Sequence, residues 1–248
     1  MKAMVLAAGL GTRLRPLTDD RPKALVEVAG RTMLEIALAR LRAVGIHEVI
    51  VNVHHFAGMV VEYLKTNDNF GMNIEVSREE ILLDTGGGLK KAAHFFLGDS
   101  RGSEEPFILH NVDVISTIDV GRMVQFHLEN RALATLAVQA RQSSRYLLFD
   151  QQLQLCGRRS GDGETELVRP APHMQALAFC GVQVISPHLF AKMTEAGVFS
   201  IIDCYLRLAG REEKIPAFRA DESYWRDLGT PDKVMQAAQD LKQGVLPQ

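Results

Sequence analysis

Cysteine is scarce in this sequence of 248 residues, and the three cysteines are far apart. Cys156, Cys180 and Cys204 form no Cys-x-x-Cys pair, so a zinc site or a disulfide framework is not expected. Neither is needed for stability, because apolar residues make up 46% of the chain and can build a sizeable core. We therefore expect three buried free thiols in a protein of a reducing compartment.

An excess of charge of either sign is also missing, since 28 lysines and arginines face 30 aspartates and glutamates. The net charge of -2 predicts no general attraction to nucleic acid or to an anionic membrane. Long hydrophobic runs are absent as well. The apolar run at residues 3–8 is too short for a signal peptide or a membrane span, so a cytoplasmic location is expected. An anionic substrate would have to be held by a local group of basic residues.

The first half of the chain alternates short apolar runs, typical of buried parallel strands, with stretches of helical periodicity. This rhythm predicts an α/β fold with a mostly parallel sheet and helices on both faces. The second half is rich in hairpin-like segments, so we expect one domain with a small antiparallel lobe. The predicted strands are 3–8, 49–53, 74–76, 107–110, 132–138, 146–149, 153–156 and 176–185, and residues 158–164 are predicted to form a flexible turn. Six helices are predicted: one after the capping pair Thr32 and Glu35, one through Val60 and Leu64, one over 89–96 that Gly86-Gly87-Gly88 opens, one over 119–128, one over 201–208, and a last one with Thr230 as N-cap and Pro231 as its first residue.

The densest chemical signal follows the first predicted strand. The sequence Leu-Ala-Ala-Gly-Leu-Gly-Thr-Arg-Leu-Arg-Pro-Leu-Thr covers residues 6–18, and Pro-Lys-Ala-Leu follows at 22–25. Its glycines allow backbone N–H groups to approach phosphate oxygens closely. A Walker A loop would need Gly-Lys-Ser/Thr, and the dinucleotide fingerprint would need glycine where Leu14 stands, so both are excluded. The basic residues of this stretch are Arg13, Arg15, Arg21 and Lys23.

Over residues 6–30 the chain resembles the signature of the sugar-1-phosphate nucleotidyltransferase family, and the likeness continues to Trp-Arg-Asp-Leu-Gly-Thr-Pro at 225–231. The resemblance implies a Rossmann-like fold of the GT-A type. It also implies an Mg²⁺-dependent enzyme that joins a nucleoside triphosphate to a sugar 1-phosphate and releases pyrophosphate. The Thr-Gly-Gly-Gly pattern at 85–88 is similar to that of the compact N-acetylmuramate 1-phosphate uridylyltransferase group, which favours UTP as the nucleotide.

The same likeness implies a division of labour along a single domain of residues 1–248. Residues 1–130 would bind the nucleotide and 131–220 the sugar. Residues 221–248 would hold a metal-ligand loop and the last helix. The protein would be a monomer or a homo-oligomer, with no nucleic acid or membrane as partner.

Individual residues also acquire implied roles. Arg13 and Lys23 would be catalytic, Arg13 on the departing pyrophosphate and Lys23 at the α-phosphate, because fixed cations stabilise developing charge. Asp113 and Asp227 would bind Mg²⁺, which prefers hard oxygen ligands. The remaining implied contacts are Gly181 and Trp225 to the sugar, and Ala7, Ala8, Gly9, Gly11, Thr12, Thr85, Gly86, Gly87 and Asn111 to the nucleotide.

The chain departs from the family pattern at two places. Val112 stands where the family usually has glycine, and Asn111 is a candidate for a compensating side-chain contact. The Glu-x-Lys motif, whose lysine contacts the sugar phosphate in many relatives, is missing, and Arg169 is a candidate replacement. His54 and His55 are not expected to bind a metal, because adjacent strand residues point in opposite directions and no third ligand is evident.

Four alternatives stay open. GTP is the second nucleotide candidate, since Glu80 and Asp84 could accept hydrogen bonds from guanine. A cytidylyltransferase of a non-sugar phosphate would share the phosphate loop. A catalytically silent nucleotide-binding regulatory subunit is disfavoured, because both cations and both carboxylates are kept. A retaining glycosyltransferase is also disfavoured, because residues 111–113 lack the first aspartate of an Asp-x-Asp motif.

Overall fold

A computed structural model of the protein describes residues 1–98, 104–161 and 163–244. The strands are β1 (Lys2–Leu6), β2 (Glu27–Val28), β3 (Arg31–Thr32), β4 (Glu48–Val53), β5 (Asn73–Arg78), β6 (Phe107–Asn111), β7 (Val114–Ser116), β8 (Ala134–Gln139), β9 (Arg145–Phe149), β10 (Leu155–Ser160), β11 (Thr165–Leu167), β12 (Gln175–Ile185), β13 (Ala217–Arg219) and β14 (Trp225–Asp227). The helices are α1 (Met33–Ala43), α2 (Ala57–Thr66), α3 (Asp84–Lys91), α4 (Ala93–Leu97), α5 (Val120–Asn130), α6 (Leu189–Lys192), α7 (Ile201–Ala209) and α8 (Pro231–Lys242). The chain divides into two compact units, the first formed by Met1–Asp84, Leu109–Ile118 and Ser223–Gln248, and the second by Thr85–Ile108 and Asp119–Glu222.

The first unit is built on a parallel sheet. β1 pairs in parallel with β4, and β4 pairs in parallel with β5. On its other side β1 neighbours β6. The centres of β1 and β4 are completely buried, which explains why both strands are continuous apolar runs rather than alternating ones. The predicted parallel α/β sheet is confirmed, and its carboxyl edge is where ligands bind in such sheets.

The N-terminus of α1 shows how the capping pair is used. The Thr32 hydroxyl accepts a hydrogen bond from the Glu35 N–H at 3.0 Å, as predicted. The Glu35 carboxylate does not return to the backbone, because it binds Arg31 Nε at 2.7 Å instead. One half of the expected capping box therefore forms.

The second unit carries the antiparallel lobe that the hairpin patterns predict. β12 pairs antiparallel with β8 and β9, and β10 pairs antiparallel with β9 and β11. All three cysteines lie in this unit and are buried, as expected. Burial raises the pKa of the Cys180 and Cys204 thiols to about 12, so neither is a ready nucleophile.

The triple glycine at 86–88 was predicted to precede a helix, but it lies inside one. α3 begins at Asp84 and contains all three glycines. The N–H groups of Gly86 and Gly87 donate to the Phe199 carbonyl at 3.0 and 3.3 Å, which satisfies donors in the first turn of the helix. A Cβ on Gly86 would come within 2.3 Å of the Phe199 ring, so only glycine permits this packing.

Two further expectations about local structure need correction. Residues 158–160 were expected in a turn but continue β10, because they pair with β9 and β11. Asp162, also placed in that turn, lies outside the described residues. Residues 225–227, expected in a metal-ligand loop, form β14, because β7 offers them an antiparallel partner. Within the described part of the chain, no helix has the length and apolar character to cross a membrane.

Candidate active site

The predicted phosphate loop leaves the sheet immediately after β1. Ala7 and Ala8 are buried, whereas Gly9 and Leu10 are exposed. The Ala7 N–H donates to the side-chain oxygen of Asn52 at 2.8 Å, so the first loop residue is held by β4. Among the hydrogen bonds of the described residues, none comes from the N–H groups of Ala8, Gly9 or Leu10. These N–H groups can therefore bind an anion.

Gly11 fixes the approach of two side chains to the loop. Its φ of 67° lies in the left-handed region, and a Cβ there would come within 2.9 Å of the Thr18 methyl group and 3.2 Å of Lys23 Cβ. The Thr18 hydroxyl donates to the Gly11 carbonyl at 2.9 Å. Glycine is thus required by both backbone conformation and space, and it lets Lys23 lie directly behind the loop. The predicted contact residue Thr12 is exposed and begins the 3-10 turn Thr12–Leu14 that follows.

Lys23 and Asp113 form a direct ion pair in the first unit. Their side chains keep only 12% and 21% of their exposure, so the pair is well shielded from bulk water. Asp113 comes two residues after the end of β6, and Lys23 begins a short 3-10 turn whose next two residues are buried. A shielded cation is therefore held next to a carboxylate at the carboxyl edge of the sheet.

The β7–β14 pair brings the second predicted carboxylate to the same place. Asp227 is in register with Val114, and the Leu228 N–H donates to the Asp113 carbonyl at 2.7 Å. The two aspartates are thus on adjacent antiparallel segments although they are far apart in sequence. Trp225 is in register with Ser116 and lies on the same face of β14 as Asp227, because residues i and i+2 of a strand share a face.

Asp227 has three basic or N–H neighbours. Lys233 from α8 binds one carboxylate oxygen, and the Gly229 N–H donates to the other at 3.2 Å. A Cβ on Gly229 would come within 2.8 Å of Asp227 Oδ1 and 3.1 Å of Arg13 Nη2, which places the Arg13 guanidinium beside this turn. Burial opposes ionisation of Asp227, but Lys233, the Gly229 N–H and the charge of Arg13 together hold its pKa below the usual value.

The structure thus brings together Arg13, Lys23, Asp113 and Asp227, all in the first unit. No group of three or more His, Cys, Asp or Glu side chains in the described residues could hold a metal ion. Two carboxylates nevertheless suit Mg²⁺, which commonly takes one or two protein carboxylates and completes its shell with phosphate oxygens and water. The residues present therefore fit Mg²⁺ bound together with a nucleotide rather than a closed protein cage.

The other predicted contacts are divided between the units. Asn111 ends β6 and is half-buried in the first unit. In the second unit, the Thr85 hydroxyl accepts from the Ile201 N–H at 3.0 Å at the start of α7. Gly181 has a φ of 72° and lies where the register of β12 against β8 shifts, so the backbone itself requires glycine there.

Some of these observations bear on the predicted base and sugar contacts. The Gly86 and Gly87 N–H groups already donate to a carbonyl within the unit, so a base would have to meet other atoms of these residues. Arg169 forms an ion pair with Asp150, whose other oxygen accepts from the N–H groups of Gln152 and Gln154 in the turn after β9. Arg169 is thus held by a hairpin turn, and its role as a replacement lysine stays a prediction.

Four residues of this region escaped sequence reasoning. Lys233 carries no signal beyond proximity to Asp227 and becomes meaningful only when α8 is placed. Gly229 lies in the family-like segment 225–231, but its contacts with Asp227 and Arg13 appear only in the structure. Asn52 and Glu79 did carry a signal, because a polar residue in or directly after an apolar parallel strand must find buried partners.

Comparison with known proteins supports the same chemistry. A family model described as nucleotidyl transferase matches residues 2–150. The chain is 35% identical over 243 residues to an N-acetylmuramate alpha-1-phosphate uridylyltransferase of Caulobacter vibrioides, covering 95% of this chain and 94% of that protein. It is 32% identical over 254 residues to a mannose-1-phosphate guanylyltransferase of Mycobacterium tuberculosis, covering 99% of this chain and 66% of that protein.

Solved structures agree at the level of the fold. HddC from Yersinia pseudotuberculosis matches with a TM-score of 0.77 at 20% identity, covering 97% of this chain and 99% of that chain.

By the family model and the sequence relatives, the protein belongs to the nucleotidyltransferase family. More particularly, the expected membership among the sugar-1-phosphate nucleotidyltransferases, inferred from residues 6–30, is confirmed.

Proposed function

We propose that this enzyme transfers a nucleotidyl group from UTP to a sugar 1-phosphate with Mg²⁺ as cofactor, and that Arg13, Lys23, Asp113 and Asp227 perform the reaction. The observation that carries the proposal is the gathering of these four side chains at the carboxyl edge of one parallel sheet, beside a loop with available N–H groups. Cations, N–H donors and a carboxylate pair are what phosphate-transfer chemistry requires.

The reaction needs positioning and charge neutralisation rather than a general base. An oxygen of the sugar phosphate is already ionised near neutral pH and attacks the α-phosphorus in line with the departing pyrophosphate. The N–H groups after Ala7 hold the triphosphate, Arg13 lies toward the leaving pyrophosphate, and Lys23 neutralises charge at the α-phosphate. When bound at Asp113 and Asp227, Mg²⁺ would supply further neutralisation of the phosphate oxygens.

The pairing of Lys23 with Asp113 gives this arrangement a specific consequence. An amine already held by a carboxylate has lost its side-chain freedom before the substrate arrives, so little reorganisation is needed at the moment of reaction. The same holds for Asp227, which is fixed by Lys233 and the Gly229 N–H. The site is preorganised by its own counter-charges.

UTP as the preferred nucleotide rests on the likeness to uridylyltransferases acting on N-acetylmuramate 1-phosphate, which extends over nearly the full length of both chains. GTP is the second candidate, because the guanylyltransferase relative is 32% identical over 99% of this chain. The sugar contacts proposed for Gly181 and Trp225, and the base contacts proposed for Thr85, Gly86 and Gly87, follow the family likeness.

A pyrophosphate-release screen tests the whole proposal. The enzyme is mixed with UTP, GTP, CTP or dTTP and a set of sugar 1-phosphates that includes N-acetylmuramate 1-phosphate, with Mg²⁺ and with a chelator. We expect release with UTP and Mg²⁺ that is abolished by the chelator and by Asp113→Asn or Asp227→Asn. Asp203→Asn, which changes a surface ion pair with Arg158 in the second unit, is the matched control and should keep full activity. Release that is insensitive to the chelator, or absent with every pair of substrates, would contradict the proposal.

A further inference from the structure

A buried polar relay connects the carboxyl ends of three neighbouring strands in the first unit. Asn52 on β4 is 2% exposed and Glu79, directly after β5, is 4% exposed. The side-chain oxygen of Asn52 accepts a hydrogen bond from the Ala7 N–H at 2.8 Å, and the side-chain NH₂ group of Asn52 donates to Glu79 Oε1 at 2.6 Å. Glu79 Oε2 accepts from the Leu83 N–H at 2.9 Å. One relay therefore joins the first residue of the phosphate loop to the segment that leads into α3.

The carboxylate of Glu79 is an expensive group to bury. Its hydrogen-bond partners among the described residues are an amide and a backbone N–H, and neither is a lysine or an arginine. Burying a charge without a cation costs several kcal/mol unless hydrogen bonds replace water. An apolar residue could fill the same volume at lower cost, so stability alone does not explain a carboxylate at this position.

The hydrogen bonds of the relay set the position of the phosphate loop, which an apolar contact would not do. The β1–β4 ladder ends with Leu6 in register with Asn52. β1 ends at Leu6, and among the hydrogen bonds of the described residues the one that the Ala7 N–H donates goes to the Asn52 side chain. The N–H groups that follow, at Ala8, Gly9 and Leu10, are those assigned to the triphosphate. A displacement of Ala7 would move all of them.

We infer that Asn52 and Glu79 are positioning residues of the nucleotide site, which hold the phosphate loop in its binding geometry without touching the substrate. The inference rests on the proposed function, because it assigns the loop to the triphosphate. The relay is specific for the nucleotide half of the reaction, so its loss impairs the use of the nucleotide and leaves the affinity for the sugar 1-phosphate unchanged.

The variants can be graded by the contacts that they remove. Asn52→Ala removes the acceptor of Ala7 and the donor to Glu79. Glu79→Ala removes the acceptors of both Asn52 and Leu83. Glu79→Gln keeps the volume and one acceptor oxygen, but its amide group faces one of two donors, so half of the relay is kept. A loop displaced by about 1 Å costs on the order of 100-fold in rate.

The test compares kcat, KM for UTP and KM for the sugar 1-phosphate in these variants, with thermal unfolding and calorimetric binding of UTP measured on the same samples. We expect Asn52→Ala and Glu79→Ala to lower kcat/KM for UTP by 10- to 100-fold, Glu79→Gln to lie between them and the wild type, and KM for the sugar 1-phosphate to stay within about twofold. Thr135→Val is the control, because it removes a buried hydrogen bond to His127 at 2.9 Å in the second unit. It should lower the melting temperature without changing either KM.

The outcomes separate the two proposals. Variants that melt earlier but keep the wild-type kcat/KM for UTP per folded molecule show a purely structural role and overturn the inference, while the proposed function stands. An equal rise in KM for UTP and in KM for the sugar 1-phosphate overturns it as well. If Asn52→Ala does not fold, the volume-conserving Glu79→Gln decides by the same criteria. A wild-type protein that neither binds a nucleoside triphosphate nor releases pyrophosphate overturns both.

Discussion

The ion pair of Lys23 with Asp113 allows catalysis and stability to be separated in one experiment. Lys23→Met keeps the length of the side chain and removes its charge. Because the Lys23 and Asp113 side chains are only 12% and 21% exposed, the variant leaves a shielded carboxylate without its cation. Breaking a fully buried pair costs about 3–5 kcal/mol, so we expect about 2 kcal/mol of unfolding free energy to be lost at this partly exposed site.

The effect on turnover should be larger and of different origin. A preorganised charge at a reacting phosphate contributes about 3 kcal/mol, so Lys23→Met should lower kcat by roughly 100-fold or more. Adding Asp113→Asn removes the uncompensated carboxylate, so the double variant should regain most of the lost stability. It should not regain activity, because both the cation and a proposed Mg²⁺ ligand are gone.

The assays are urea unfolding and steady-state pyrophosphate release on the same preparations. Lys192→Met is the control, since Lys192 forms a lysine–carboxylate ion pair with Glu213 in the second unit that is more exposed than the Lys23 pair, and its kcat should be unchanged. Near-normal kcat in folded Lys23→Met would refute the catalytic role. Recovery of activity in the double variant would show that the loss came from stray charge rather than from the missing cation.

Three further predictions follow from the same region and from the core. Arg13→Ala should lower kcat by about 100-fold. Gly229→Ala should lower kcat/KM, because the added Cβ would lie 2.8 Å from Asp227 Oδ1 and displace either this carboxylate or the Arg13 guanidinium. Wild-type kinetics for both folded variants would contradict the placement of Arg13 and Asp227 in the active site. Burial lowers the pKa of His110 and His127 to about 4, so the unfolded chain binds protons more readily than the folded protein does. The unfolding free energy should therefore fall as pH drops from about 6.5 to about 4 and then level off. His127→Phe should reduce the slope of unfolding free energy against pH, and an unchanged slope in chemical denaturation would refute this prediction. Calorimetry should show tighter binding of UTP than of GTP, CTP or dTTP, and tighter binding of GTP would overturn the nucleotide assignment while leaving the reaction class intact.

Prediction from sequence succeeded where the signal is local. The apolar runs at 49–53 and 107–110 are strands because a parallel sheet covered on both faces requires continuous burial. Prediction from sequence failed at the triple glycine, where the composition favoured a segment that precedes a helix. Inside α3, Gly86 is instead required by the Phe199 ring, a contact between residues far apart in sequence.

The sequence by itself determined the family and the parallel sheet, and it gave the candidate phosphate loop and the candidate residues Arg13, Lys23, Asp113 and Asp227, because each of these depends on short-range patterns of residue types. Only the tertiary structure decided which groups meet. The pairing of β7 with β14 brings Asp227 beside Asp113, and α8 delivers Lys233 to the Asp227 carboxylate. No spacing rule encodes such meetings, since they depend on how strands and helices that are remote in sequence pack against one another.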